Sequence, residues 1–431
     1  MEEPMRQEEG THSHSISDWE VGSKVVADLD AWRSRVMDVQ EYVVSRDGER
    51  IAAIVKTDDD EFSVCANGDI WETPVEKAWS LQFGPNDKLV CIGMNDDEWT
   101  VYEEGRPWEE TYEYVWNLRF NPSGSATAAN VKADGGYAIA LNGKVWEDTY
   151  LQMRSCEISP DGERTMGNVQ VENLAEGDIA QFRKGVWSLA VDGVPWESIF
   201  LNVWGSTFSD DGKNIAAEVR LDPGTQTIAV NGVPWSEGFR AVWEPNFLPG
   251  ADTVIAPCLT PDGWKLMTDG KAMWSDSFVQ LWRVTFSPDA KRIAAVVAPE
   301  FGRWTVAVDG APWRRNFGDA VLTPVFSPDS RRIAAVVKEN NRWTIAVDGA
   351  PWSADFDMIW DPVFSADGES VVAKASLGEK HFIVVNGKVS SVSYDHLWSP
   401  SFSPDGSALL VRAIEAGRYY RQVIPITDLF S

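Results

Sequence analysis

The sequence predicts an all-β protein: a β-propeller of about ten four-stranded blades in a single ring, closed by an N-terminal strand that completes the last blade. Three observations carry this. A turn of the form Phe-Ser-Pro-Asp-Gly recurs with anchors near residues 44, 83, 120, 158, 208, 247, 286, 326, 364 and 402. An Asp-Gly or Asn-Gly pair follows eight of these turns, as at 309–310 and 348–349, with Glu-Gly at 104–105 after a ninth. The 22 tryptophans fall almost entirely into three phases of the same repeat.

The anchors step by 39, 37, 38, 50, 39, 39, 40, 38 and 38 residues. A period of about 40 residues holding four strands is that of a propeller blade. Each unit reads in one order. An aromatic residue ends the first strand, and Ser-Pro-Asp-Gly makes a tight turn. A small apolar run such as "RIAAVV" (332–337) forms the second strand, and "RWTIAV" (342–347) the third. Asp-Gly then makes a hairpin, since a type I′ turn needs positive φ at both central residues. "APW" (350–352) opens the fourth strand. Glycine and proline every few residues, with no long 3.6-residue period, exclude a helical solenoid.

No linker fits near residue 240, where the spacing stays at 39 on both sides, so one ring is expected rather than two. The last unit ends after its third strand. "SKVVADLDAW" (23–32) aligns with "WTVAVDGAPW" (304–313) and supplies the missing strand, which removes the open sheet edges. Residues 1–18 are expected to be a disordered acidic leader and 19–431 the propeller. The one long step places an insertion at 169–185.

The fourth-strand phase of tryptophans is Trp32, Trp71, Trp108, Trp146, Trp196, Trp235, Trp274, Trp313 and Trp352. Eight residues later come Trp79, Trp116, Trp204, Trp243, Trp282, Trp360 and Trp398. Nine residues before the first phase come Trp99, Trp187, Trp304 and Trp343, which leaves Trp19 and Trp264 outside. Indoles suit the wedge that widens between neighbouring blades away from the axis, each removing roughly 150–250 Å² from water. The first phase is therefore expected to be packing. The second lies near one rim, where packing and a row of exposed aromatics for a partner are both open.

Net charge is −28, which argues against a nucleic-acid or anionic-lipid surface, since either needs a concentrated basic patch. Charge is uneven: residues 41–120 hold 19 acidic and 7 basic side chains, whereas residues 271–350 hold 8 and 11. Such asymmetry can orient a partner, although a merely soluble surface explains it equally well. The N-terminus has no apolar stretch of a secretory signal, and no run approaches the ~18 apolar residues of a membrane helix. A cytoplasmic location is expected, with any membrane association made through partners.

Candidate chemistry is sparse. Cys65, Cys91, Cys156 and Cys258 fall in different blades and form no CxxC pair, and His12, His14, His381 and His396 are scattered, so no metal, haem or cluster is expected. The repeated Asp of Ser-Pro-Asp-Gly reads as a turn residue, and it lacks the spacing of sialidase Asp boxes. "KTDDDE" (56–61) and "NDDE" (95–98) read as solvated hairpin tips. No nucleophile elbow, P-loop or dinucleotide fingerprint is present, so no enzyme is expected.

The Phe-Ser-Pro-Asp-Gly unit followed by Ile-Ala resembles the WD40-like repeats of TolB-type propellers over the whole chain, apart from its "VDGAPW" element and tryptophan load. An acidic, tryptophan-rich propeller of this size without a signal also resembles the D subunit of the Tmc transmembrane redox complex of sulfate-reducing bacteria. That resemblance implies a role in sulfate respiration beside a cytoplasmic iron–sulfur subunit, a membrane cytochrome b and a periplasmic multihaem cytochrome c. With no clustered ligands, the chain would scaffold electron transfer without carrying a cofactor. Glu172, Asn173, Leu174 and Ile179 of the insertion are the foremost candidate contacts, with a longer surface hairpin as the plain alternative. A carbohydrate- or ligand-binding propeller using the repeated tryptophans is the competing expectation; a hydrolase at the central mouth has no residues to recommend it.

Overall fold

A computed structural model describes residues 18–431, so His12 and His14 and almost all of the expected leader lie outside the described residues. The fold is a ten-bladed β-propeller: ten antiparallel sheets, nine with their strands in sequence order and a tenth whose fourth strand comes from the N-terminal segment. The chain groups into two compact units of five blades each. Blades 1–5 lie within residues 33–234, and blades 6–10 within 235–431 together with 18–32.

Blade 8 shows the plan. Its second strand, Ile333–Glu339, pairs with the third, Arg342–Val347, which pairs with a two-residue fourth strand, Ala350–Pro351. The fourth strand is shorter than expected. Pro351 has no N–H to donate, Trp352 returns its N–H to Ile345, and pairing resumes only where Phe356 bridges Trp343. Thr344 fills the gap by donating its hydroxyl to the Ala354 carbonyl at 2.7 Å. Thr100, Ser188 and Thr305 do the same in blades 2, 4 and 7.

First strands come in two forms. In blades 2, 3, 5 and 7 the strand is continuous across a bulge, and the residue after the tryptophan takes positive φ: Ser80 (53°), Asn117 (55°), Gly205 (36°) and Arg283 (54°). In blades 8, 9 and 10 the strand is split in two. Pro324, Pro362 and Pro400 stand at the split, and a proline pushes the residue before it away from helical conformations toward extended backbone.

The N-terminal segment completes blade 10 as expected. Gly22–Asp28 pairs antiparallel with the third strand, Arg418–Pro425. One detail differs: the segment is the fourth strand itself, and Trp32 lies on a short helix, Leu29–Arg33, rather than on a strand. The Leu29 N–H bonds the Gly417 carbonyl at 2.9 Å, and the Asp28 carboxylate accepts the Ala31 N–H at 3.0 Å, so the chain turns into helix there. Arg421, 5% exposed, donates to the Asp18 carbonyl.

The core repeats with the blade. In "IAAVV" the alanines and valines, such as Ala334, Ala335 and Val336, are fully buried.

Candidate functional site

Each blade has a turn end, carrying the first-to-second turn and the third-to-fourth hairpin, and a loop end, carrying the second-to-third connection. At the turn end of blade 8, Ser327 Oγ donates to Asp329 at 2.5 Å and accepts the Arg332 N–H at 2.9 Å. Asp329 also accepts the Arg331 N–H. These bonds, the Ser327 hydroxyl first, hold the Asp329 carboxyl below its ordinary range. The same Ser-to-Asp bond recurs in seven blades. These aspartates are turn residues, as the sequence suggested.

The hairpin is held in a matching way. Asp348 takes φ 51° and accepts the Ile333 N–H, while Gly349 takes φ 81°. A Cβ on Gly349 would stand 3.1 Å from the ring of Trp313, which belongs to the preceding blade. That answers what seven of the first-phase tryptophans do: each lies on the hairpin glycine of the next blade, whereas Gly270, after Trp235, meets Glu237 instead. Trp71 meets Gly105, Trp108 Gly143, Trp146 Gly193, Trp196 Gly232, Trp274 Gly310 and Trp352 Gly387 in the same manner. Arg332 adds a clasp, reaching Asp348 and the Gly368 and Glu369 carbonyls of the following blade.

Of the second-phase tryptophans, Trp79, Trp116, Trp204 and Trp282 lie on first strands, and Trp243, Trp360 and Trp398 just outside them. Trp79 stacks on Trp99 with centroids 4.0 Å apart, and the rings continue through Tyr114 and Trp116 to Tyr137. Trp282 tilts against Trp304 at 4.8 Å, and Trp243 stacks on Trp264 at 5.6 Å. Trp264 therefore belongs to the third phase. It looked irregular because its hairpin, "DGKAMW", is one residue longer than "DGAPW". Trp79, Trp116, Trp204, Trp282, Trp360 and Trp398 are half-buried, whereas Trp243 is 43% exposed.

Another aromatic course went unread in the sequence. Four residues after the first-phase tryptophan stand Tyr112, Tyr150, Phe200, Phe278, Phe317 and Phe356, each bridging the third strand. Phe317 and Phe356 are 1% and 0% exposed. The spacing Trp-x-x-x-Phe/Tyr was visible all along.

The blade 4 insertion is not a plain hairpin. It forms a short helix, Ile179–Lys184, whose N-cap Asp178 accepts the Gln181 N–H. Gly185 ends it at φ 91°, where a Cβ would stand 2.4 Å from the Phe200 backbone. None of the helix is buried: Ile179 is 64% and Phe182 49% exposed, with Leu174 at 38% nearby. Glu172 and Asn173 are exposed beside them. Phe182 and the blade 7 loop residue Phe301, 93% exposed, were not singled out by sequence.

Histidines are less scattered than expected. His381 and His396, on neighbouring blades, have ring centroids 5.8 Å apart, because a blade's third strand packs beside the next blade's first. His381 also meets Trp360, and His396 meets Trp398. Lys374 stands over the Trp360 ring at 4.1 Å. The four cysteines are buried and free, in different blades, and burial pushes the Cys65 thiol up to about 11 and Cys91 to about 12. Among the described residues no three His, Cys, Asp or Glu side chains are disposed to hold a metal ion, and no helix is long and apolar enough to cross a membrane.

Concavities are shallow or small. In the first unit, Trp71, Cys91, Gly93 and Tyr102 line a void of about 10 Å³, room for about one water. In the second, Trp313, Arg314, Arg315 and Asp348 line an open depression of about 440 Å³.

Sheet order and repeat together define the class by fold: a ten-bladed β-propeller. No protein-family model and no curated protein matches the chain. Among solved structures, a eukaryotic initiation factor is similar over 82% of this chain and 87% of its own, at 12% identity and TM-score 0.45. A putative TolB from Agrobacterium tumefaciens is similar over 64% of this chain and 100% of its own, at 14% identity and TM-score 0.30.

Proposed function

We propose that this protein is a non-catalytic docking subunit that binds partner proteins through the loop end of its blades. The observation that carries this is the blade 4 insertion, which leaves Leu174, Ile179 and Phe182 exposed where the other blades have tight connections. Apolar side chains held out on a capped helix gain nothing for the fold, and burying them against a partner removes them from water. The acidic loop tips at Asp59, Asp60, Asp96 and Asp97 give the same end of blades 1 and 2 a sign that favours a basic surface opposite.

In its finer form the reading is the D subunit of a Tmc-type complex at the cytoplasmic face of the membrane. It would contact an iron–sulfur subunit, a membrane cytochrome b and, through them, a multihaem cytochrome c, while binding no redox cofactor itself. Affinity capture from the source membrane fraction tests it. Haem and iron–sulfur subunits should co-purify with the wild type and be lost with Ile179→Ser/Phe182→Ser, while the isolated chain stays colourless. Recovery of the wild-type chain alone sinks the reading.

A second reading, ligand or carbohydrate binding, is favoured by Trp243 alone, whose exposed ring stacked on Trp264 could carry a sugar face. A glycan array probed with wild type and Trp243→Ala decides it: no hits, or hits untouched by the substitution, remove it.

A further inference from the structure

Blades 7, 8 and 9 have corresponding second and third strands, but the second strand differs in chemistry at one place. Blades 7 and 8 place Val296 and Val336 there, both fully buried, and blade 9 places Lys374. The position lies beside the first-strand tryptophan: Trp282 pairs with Val296, and the Trp360 N–H bonds the Lys374 carbonyl. On the third strand, where blades 7 and 8 carry Trp304 and Trp343, blade 9 carries His381. Two departures from the repeat thus fall on one face of one blade. His396, from the first strand of blade 10, meets them.

Lys374 has no carboxylate partner among the described residues, only the Trp360 ring beneath its amine. Burial pushes that amine down to about 8. Asp395, beside His396, is engaged elsewhere, by Lys380 and the Ala416 N–H. His381 Nδ1 is buried without a hydrogen-bond partner. Its imidazole is held down at about 4, by burial first, then by the charge of Lys374 and by His396. An ammonium and an imidazole nitrogen without acceptors, walled by indoles, make a place where a negative charge would find donors and little water.

We propose that Lys374 and His381, with His396 beside them and the rings of Trp360 and Trp398 as walls, bind a small oxoanion, a carboxylate or a phosphate group. An oxoanion supplies the countercharge Lys374 lacks and an acceptor for the imidazole N–H. The cation–π contact with Trp360 holds the amine in place while the site is empty. This site is separate from the blade 4 insertion.

The test is an NMR titration of the full chain labelled in its histidine rings. Inorganic phosphate and, separately, acetate are added at ionic strength held constant with chloride, and His381→Trp, the side chain blade 8 uses, identifies the His381 signals. The His381 and His396 ring signals should shift saturably with at least one anion, while those of His12 and His14 do not saturate. Saturation by phosphate alone assigns a phosphate group; saturation by acetate assigns a carboxylate. Lys374→Val takes the side chain of blade 8 at this position, so the fold is retained, and it should weaken binding at least about tenfold. Lys374→Arg should keep it. No saturable shift with either anion, or equal shifts in wild type and Lys374→Val, overturns the proposal.

Discussion

At the turn end of blade 8, Ser327, Asp329, Arg332 and Asp348 bind main-chain groups whose positions the turn itself dictates. At the loop end of the same blade, Trp343 and Phe356 exchange two main-chain hydrogen bonds while their rings pack into the core, and the connection above them, Asn340–Asn341, differs from blade to blade in length and charge. Blade 4 puts a helix there, blade 7 a bare phenylalanine, and blades 1 and 2 pairs of aspartates. The turn end answers to hydrogen-bond geometry, which few residue types satisfy. The loop end asks only for bulk beneath and leaves its surface free, so differences suited to recognition gather there.

The sharpest way to break this contrast lies under the variable surface. Phe356→Ala should cost about 3–5 kcal/mol in a denaturant midpoint measurement, because its fully buried ring leaves a cavity. A cost under about 1 kcal/mol would mean that the loop end is loosely held throughout.

Next come two glycines of similar conformation. Gly349→Ala, at φ 81° with Trp313 beneath it, should lose roughly 2–3 kcal/mol. Gly302→Ala, at φ 70° in the loop end of blade 7 with open space around it, should lose about 1 kcal/mol from backbone strain alone. Equal losses would deny the tryptophan its part.

Ser327→Ala should cost about 1–2 kcal/mol through the unmade bonds to Asp329 and Arg332. Its pH profile sharpens the assignment. The Asp329 carboxyl is depressed in the fold, so its contribution is present above the unfolded value near 3.8 and is lost as pH falls through the lower folded value. Acid titration of stability should show a smaller loss in the variant.

Lys374 runs the other way. Its folded value, about 8, lies below its ordinary 10.5, so the penalty for charging it is complete below 8 and is relieved as pH rises to 10.5. Wild type should gain stability relative to Lys374→Val across that window. The smallest effect belongs to the exposed helix: Ile179→Ser and Phe182→Ser should move stability by no more than about 0.5 kcal/mol while abolishing partner capture.

Much of the turn end was legible because its signals are local. Ser-Pro-Asp-Gly and Asp-Gly name their own backbone conformations, and the strand that completes blade 10 followed from counting strands. The third-phase membership of Trp264 was hidden by one added hairpin residue, and the phenylalanine and tyrosine course was overlooked beside the louder tryptophans. Insertion residues 172–174 and 179 were found by broken spacing, but their exposure and the helix were not. The departures from the repeat at Lys374 and His381 could be read by aligning the blades, but their meeting with His396 of the next blade could not.

By itself, then, the sequence determined the blade count, the strand order and which residues make the turns, because those depend on contacts within a few residues of one another. Only the tertiary structure decided which tryptophan lies on which glycine, which aromatic rings stack and which basic side chains share a face. Those outcomes depend on how one blade packs against the next, and a period in sequence fixes the neighbour without fixing the side chains that touch.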